Sequence, residues 1–194
     1  MNTKTILAIS IAAAFMVSTM GVAYAAGHVF FDGNPVVEVK SNAKGTNERI
    51  KVHFDVTADI PVAKQAGAFG YGVFTGGEAT ENVLVLVTHP GLTDSDHQDE
   101  TSGFHTHVLD VKDTTGACTN GFDAEVDLEG SGMNKGFDLD ADWEIDGKTA
   151  WIGFTPTKRL NDSTTVDAVV SFTITAVDNG GLHLCMDIKD SASP

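Results

Sequence analysis

The sequence predicts an all-β protein built as a single antiparallel Greek-key β-sandwich or barrel. Three observations support this prediction. Apolar residues recur in short runs rich in β-branched side chains, and several runs alternate with polar residues at the period of a strand. Glycine-rich turns separate the runs, and no window sustains the period of an amphipathic helix. Many short strands joined by tight turns are typical of sandwiches and barrels.

Residues 1–25 are predicted to be a signal peptide rather than part of the fold. Lys4 is the only charge, an apolar stretch follows it, and Ala23 and Ala25 are the small residues of a cleavage site. Cleavage after Ala25 would leave 169 residues (194 − 25), enough for one domain. We expect an exported protein, periplasmic or extracellular, with a β-domain over 26–190 and a frayed tail over 191–194. No later run is apolar for the roughly 18 residues of a membrane helix, so membrane insertion is not expected.

The strand signals of the first half follow one another closely. The run Val83–Val87 is apolar on both faces, which predicts a central strand covered on each side. The predicted strands of this half cover residues 36–40, 50–56, 69–75, 83–87 and 103–111.

The second half predicts two hairpins. Residues 137–145 alternate between apolar and polar, and Asp146-Gly147 supplies a tight turn before a strand over 149–154. A last pair of strands, 167–177 and 182–188, is joined by a short glycine-rich turn.

The acidic residues of the 137–145 strand and its turn resemble a calcium loop only superficially. An EF-hand needs Gly at its sixth position, where Trp143 stands, and Glu at its twelfth, where Thr149 stands. Alternation instead predicts one solvated face and one packed face, so calcium is not expected. The solvated face would hold Asp138, Asp140, Asp142, Glu144 and Asp146.

The net charge limits the possible partners. Without Lys4 the chain has 11 Lys and Arg against 27 Asp and Glu, a net charge of −16 (11 − 27) with neutral histidines. Such a surface repels nucleic acid and anionic membranes, which are bound through Lys and Arg. It favours cations, basic partners or simply solubility. A nucleic-acid partner is therefore not expected.

Four of the seven histidines fall between positions 89 and 107. Strand residues two apart point to the same side, so His105 and His107 can converge on one ion bound at about 2.0–2.1 Å per nitrogen. If positions 89 and 103 lie opposite each other in an antiparallel pair, 87 faces 105, 85 faces 107, and His89 joins the two histidines. A site requires three donor atoms within about 4 Å of one another. The alternative is a pair of half-buried histidines bonded to backbone groups or loop carboxylates.

The loop over 90–102 offers further donors. Asp94, Asp96, His97 and Asp99 are each expected either to complete the site or to orient its ligands. Imidazole with carboxylate suits copper or zinc better than calcium. Copper is the expected ion, with zinc as the alternative.

A second metal site is predicted at the mature N-terminus. Cleavage after Ala25 would make His28 the third residue, so that a free amine, two amide nitrogens and the imidazole form a square-planar set. Cu(II) and Ni(II) prefer this geometry. Cleavage one residue later would abolish it.

The two cysteines, Cys118 and Cys185, are expected to form a disulfide, because export favours pairing. Such a bridge would constrain the unfolded chain by about 4 kcal/mol. The alternative is that Cys185 serves as a thiolate metal ligand beside His183 and Met186.

The stretch GFHTHVLD, followed by one cysteine and by another near the C-terminus, resembles the copper/zinc superoxide dismutases. The resemblance implies that His105 and His107 bind copper, that Cys118 and Cys185 form the family's bridge, and that the fold is a Greek-key β-barrel; an immunoglobulin-like sandwich is the alternative. No histidine stands between Cys118 and His183, so the family's bridging and zinc ligands have no counterpart. The order Thr88-His89-Pro90-Gly91 before the histidine pair also resembles uncharacterised secreted β-proteins of ammonia-oxidising archaea, a likeness that implies no function.

The expected function is an exported metal-binding β-domain for copper storage, delivery or redox chemistry. The alternative is a structural or adhesive surface protein or filament subunit, in which the run over 28–31 adds a strand to a neighbouring sheet. Gly-x-Ser-x-Gly and phosphate-loop motifs are absent from the sequence. An enzyme is less expected than a binding protein and would be a copper-dependent oxidoreductase.

Overall fold

The computed structural model describes residues 26–45, 47–63, 67–75, 82–89, 95–114, 116–119, 121–131, 138–155 and 165–194. The predicted signal peptide lies outside these residues. The described part of the chain forms ten strands and two short 3₁₀ helices, Ala26–Val29 and Gly116–Cys118. The strands are β1 Val36–Ser41, β2 Asn47–Asp55, β3 Phe69–Thr75, β4 Asn82–Thr88, β5 His105–Lys112, β6 Ala124–Val126, β7 Asp142–Asp146, β8 Thr149–Phe154, β9 Val166–Asp178 and β10 Leu182–Ala192.

The strands make two antiparallel units. One is a four-stranded sheet of order β1-β2-β8-β7, and the other is a closed barrel of order β10-β6-β5-β4-β3-β9. β3 to β6 follow one another as a meander, and β9 returns after a long connection to pair with β3, as in a Greek key. The predicted all-β antiparallel class is confirmed. The split into a closed barrel and a separate sheet was not predicted.

The alternation of side chains along β4 explains how the two units pack. Val83, Val85 and Val87 belong to a core enclosed by the barrel strands. Leu84 and Leu86 point the other way, into a larger core shared with the four-stranded sheet. All five side chains are buried, which confirms the prediction of a strand covered on both faces.

The Asp146-Gly147 hairpin is confirmed. Gly147 has φ +59, β7 pairs with β8 on either side of it, and the sheet packs through Trp143 and Ile145 onto the barrel. The carboxylates of Asp142 and Asp146 lie on the exposed face, as alternation predicts.

The C-terminal strand extends into the predicted frayed tail. β10 reaches Ala192, which pairs with Val169 of the long strand β9. The prediction of a frayed tail from residue 191 is therefore corrected for Ser191 and Ala192. β9 is long enough to pair beyond the bulge that follows Ile188.

The N-terminal segment packs within its own chain. The side chains of His28 and Val29 are buried, and Phe31 forms a bridge with Val56 and packs against the larger core. The Phe31 amide also donates to Asp190 Oδ2 at 2.8 Å. Three of the four residues predicted to join a neighbour's sheet thus pack inside the fold, whereas Phe30 is 43% exposed, and their self-association stays a prediction. No described helix is long and apolar enough to cross a membrane.

Candidate metal centre

The pairing of β4 with β5 directs two histidines into the barrel. Val87 lies opposite His105 and Val85 lies opposite His107, the predicted register. Since opposed residues share a face, both imidazoles point to the side of the barrel core. His89 comes directly after Thr88, the last residue of β4, and reaches the same side.

The three histidines form a buried cluster. Their exposed fractions are 0% for His105, 2% for His107 and 6% for His89. One ligand atom from each lies within 4.8 Å of those of the other two. The ring centroids are 4.7 Å apart for His89 and His105 and 4.6 Å apart for His105 and His107. His105 is thus the central ring. Among the described residues, this is the one group of three or more possible ligands that could hold a metal ion, and its 4.8 Å spread is wider than the roughly 4 Å expected from the sequence.

Hydrogen bonding fixes the protonation of the central ring. His105 Nδ1 lies 2.8 Å from the carbonyl oxygen of Gly103. A carbonyl only accepts, so Nδ1 carries a proton, and the tautomer with its one proton there presents the lone pair of Nε2. That lone pair faces His89 Nε2 at 3.1 Å. With His105 in this tautomer, His89 Nε2–H donates the hydrogen bond to His105 Nε2, and a metal bound between the two nitrogens would take the place of that hydrogen.

The nitrogen separations can be compared with those of a metal site. Two nitrogens 3.1 Å apart, each about 2.0–2.1 Å from an ion, subtend an angle of roughly 100°, close to tetrahedral or square-planar values. The longest separation in the cluster, up to 4.8 Å, exceeds the roughly 4.1 Å that two nitrogens reach on opposite sides of one ion. An ion bound by all three would therefore draw at least one ring inward by several tenths of an ångström. His89 and His105 alone already have the required spacing.

The turn before β5 positions His105. Asp99 Oδ1 accepts hydrogen bonds from the Thr101 and Ser102 amides and from the Ser102 hydroxyl. The turn ends at Gly103, whose φ of +78 lies in the left-handed region that favours glycine. The Gly103 carbonyl then accepts from both His105 Nδ1 and Gln98 Nε2. Gln98 and the Gly103 carbonyl are site residues that sequence reasoning missed.

The acidic loop does not supply ligands to the cluster among the described residues. His97 is half exposed, with Nδ1 3.6 Å from Asp140 Oδ1. The Asp96 amide donates to Asp138 Oδ2 at 3.0 Å. Both were predicted as candidate donors, and both instead connect the loop to the segment before β7. Asp94 lies outside the described residues.

Asp138 binds the described part of the loop to the segment before β7. Its carboxylate accepts from the Ser95 hydroxyl at 2.6 Å as well as from the Asp96 amide, and Asp138 forms an isolated bridge with His107. Asp138 was expected on a solvated face, but it is half-buried because it ties this loop to the barrel. The Thr106 hydroxyl, which donates to the Leu139 carbonyl, fixes the same segment from the β5 side.

His28 lies apart from the cluster. Its ring packs edge-on against Phe69 at 4.8 Å between centroids, and its carbonyl accepts from the Tyr71 hydroxyl at 2.7 Å. The residues before Ala26 lie outside the described part of the chain. The square-planar copper or nickel site at a cleaved N-terminus therefore stays a prediction.

The disulfide prediction is confirmed. Cys118 and Cys185 are bonded, with their Cα atoms 5.4 Å apart. The alternative role of Cys185 as a thiolate ligand is wrong, since its sulfur is already engaged.

His183 instead contacts the buried carboxylate of Glu125, with Nδ1 2.9 Å from Oε1. Lys112 Nζ lies 3.5 Å from the same oxygen, so the buried carboxylate has two cationic or hydrogen-bonding neighbours.

No protein-family model, curated protein or solved structure matched the chain. The resemblance to copper/zinc superoxide dismutases therefore stays a prediction. The candidate site rests on the geometry of the three histidines alone.

Proposed function

We propose that this chain is an exported protein that binds copper through His89, His105 and His107, and that it stores, delivers or cycles the ion. The single observation behind the proposal is the buried cluster of three imidazoles, whose ligand atoms lie within 4.8 Å of one another. Metal binding of this kind needs neutral imidazoles held in place by their other ring nitrogen. His105, bonded to the Gly103 carbonyl, meets that need.

The composition of the cluster supports copper over other ions. It contains three nitrogen donors, and no described carboxylate joins it, which disfavours calcium and magnesium. Divalent copper binds nitrogen sites more tightly than zinc does. The surroundings are apolar, with Val85 and Val87 opposite the two strand histidines. An apolar interior penalises each added charge, so it favours monovalent Cu(I) over a divalent ion.

Export supports the same proposal. The predicted signal peptide would deliver the protein to an oxidising compartment, where the Cys118–Cys185 disulfide would persist. The acidic surface attracts cations to the protein. Intact mass of the protein from its native compartment would fix its N-terminus and test the predicted cleavage after Ala25.

Direct titration tests the metal proposal. The apo protein is titrated with Cu(I), Cu(II) and Zn(II) in competition with chelators of known affinity. We expect one tightly bound copper per chain and weaker zinc. The His105→Ala/His107→Ala double variant should lose this binding, because it leaves one donor of the three.

Two controls separate this site from others. His97→Ala should bind as the unchanged protein does, because that side chain is 45% exposed and lies beside Asp140. Blocking the α-amine by acetylation would remove a square-planar site at the N-terminus but leave the histidine cluster intact. Stoichiometric copper binding that survives in the double variant would contradict the assignment of these residues.

A further inference from the structure

The outer edge of β1, in the four-stranded sheet, is exposed, whereas the closed barrel has no free edge. β1 ends the four-stranded sheet and pairs, among the described residues, only with β2. Val36 is 60% and Val39 50% exposed, although both lie in a paired strand. An exposed edge strand with apolar side chains is a template for pairing with another strand. We propose that the β1 edges of two copies of this chain pair antiparallel, making a symmetric dimer.

The other edge of the sheet cannot pair in the same way. β7 carries Asp142, Glu144 and Asp146 at alternate positions, all on one face. Two copies of β7 side by side would place like charges opposite one another, which is destabilising. β7 is therefore an edge protected by charges of one sign, whereas β1 carries one charge of each sign.

The charges of β1 select the partner. If β1 paired with the β7 strand of another copy, Glu38 and Lys40 would each lie opposite an acidic residue. The pair with Lys40 would be attractive and the pair with Glu38 repulsive. Two β1 strands can instead set Glu38 opposite Lys40 of the second copy twice, by symmetry. The isologous pair is favoured over a head-to-tail filament for this reason.

The same charges select the register. In an antiparallel pair, two opposed residues point their backbone groups either toward each other or away from each other, so in a symmetric pair of identical strands the axis passes through a residue. An axis at Glu38 would place the two copies of Glu38 opposite each other, and an axis at Lys40 would do the same with the two lysines. An axis at Val37 brings the buried Pro35, which lacks an N–H, opposite Val39. Only an axis at Val39 gives two Glu38–Lys40 pairs and sets the two Val39 side chains together.

The rest of the sheet supports this arrangement. Val37 packs toward the core, so by alternation Glu38 and Lys40 lie together on the outer face. Within its own chain Lys40 lies opposite Arg49, a like charge. Arg49 already contacts Asp142 in its own chain, so a glutamate from a second copy would act on the charge of Lys40. The irregularity of the β1–β2 ladder comes after Lys40, at the end of the proposed pairing.

Charge reversal tests the pairing. Sedimentation equilibrium of the purified protein over a wide concentration range should show a monomer–dimer equilibrium. Glu38→Lys and Lys40→Glu should each weaken the dimer by roughly 2- to 30-fold, because each turns two attractive pairs into repulsive ones. The double variant Glu38→Lys/Lys40→Glu exchanges the charges and should restore the dimer. A double variant as weak as the singles, or a protein that stays monomeric throughout, would overturn the proposal.

Crosslinking tests the register independently. In the Val39-centred pair the two residues at position 39 face each other with Cβ atoms about 4.5–5.5 Å apart, so Val39→Cys should form a disulfide-linked dimer under oxidation. Val36→Cys is the matched control, at least as exposed as position 39 but about 20 Å from its counterpart in this register. Equal crosslinking by both variants would refute the register. Thermal melting of every variant checks that the monomer fold is intact, and none of these positions touches the histidine cluster.

Discussion

Metal binding at the histidine cluster should stabilise the folded chain, and the stabilisation should be measurable as a rise in Tm. His89 and His105 are 16 residues apart in sequence, so folding is what brings their nitrogens to 3.1 Å. The unfolded chain lacks this arrangement and binds the metal more weakly. An ion that binds only the folded state at a free concentration of 100 times its Kd adds about 2.7 kcal/mol to the free energy of unfolding.

The shift in Tm that corresponds to this free energy depends on the size of the domain. Residues 26–194 number 169, and for domains of this size each kcal/mol raises the Tm by about 2–4 °C. Copper should therefore raise the Tm by roughly 5–11 °C at that concentration. The inward movement that the 4.8 Å separation requires would lower the affinity but not this stabilisation, which is set by the ratio of free metal to Kd.

Calorimetry with buffered free copper provides the measurement. Ascorbate keeps the ion as Cu(I), and excess chelator should return the Tm to its starting value. His105→Ala should start lower, because it removes the buried hydrogen bond to Gly103, and should then show little or no shift with copper. His97→Ala should keep the full shift. A shift of normal size in His89→Ala/His105→Ala would refute the reasoning.

Three further predictions follow from contacts around the site and the core. Burial raises the pKa of Tyr71 above its ordinary value of 10.0. Above pH 10 the tyrosine ionises in the unfolded chain but not in the folded protein, so the free energy of unfolding falls by about 1.4 kcal/mol per pH unit. In urea denaturation across this range, Tyr71→Phe should flatten the alkaline loss and cost about 1–3 kcal/mol at neutral pH, because it removes the donor to the buried His28 carbonyl. Gln98→Ala should weaken copper binding about tenfold in competition titrations without changing its stoichiometry, because Gln98 holds the carbonyl that orients His105. Cys118→Ser/Cys185→Ser should lower the free energy of unfolding by about 4 kcal/mol, as expected for a bridge across 67 residues, and leave the bound copper unchanged.

The arrangement of the two strand histidines was predictable because it depends on local rules. Consecutive strands joined by a loop pair antiparallel, and alternation then fixes which residues share a face. Setting position 89 opposite 103 is enough to place Val87 opposite His105 and to bring His89 to the same side. The Asp146-Gly147 hairpin was predictable for the same reason, since its turn residues and flanking strands are contiguous in sequence.

The rest of the site depends on contacts between distant residues, and the sequence carries little trace of them. Asp96 and His97 were candidates because they are near the pair in sequence. Asp138, about 40 residues later, instead accepts a hydrogen bond from the Asp96 amide and forms a bridge with His107. The role of the Gly103 carbonyl also needed the structure, although a glycine two residues before a strand and an aspartate four residues before that glycine were signals of a tight turn.

The closed barrel also could not be predicted from strand patterns. β9 and β10 close it by pairing with β3 and β6, strands that are far away in sequence. An alternating strand has the same pattern in a sandwich as in a barrel. Closure matters for the site, because it turns one face of β5 into an interior wall.

That interior wall is where the sequence departs from what packing alone would favour. Along β4 the inward positions are valines, whereas the two facing positions of β5 are His105 and His107. Apolar side chains there would pack without needing hydrogen-bond partners, which buried imidazoles require. Residues that break a local rule in an otherwise consistent fold are expected at functional sites. A metal ion, which the three histidines could hold, would give these polar side chains a reason to occupy an apolar wall.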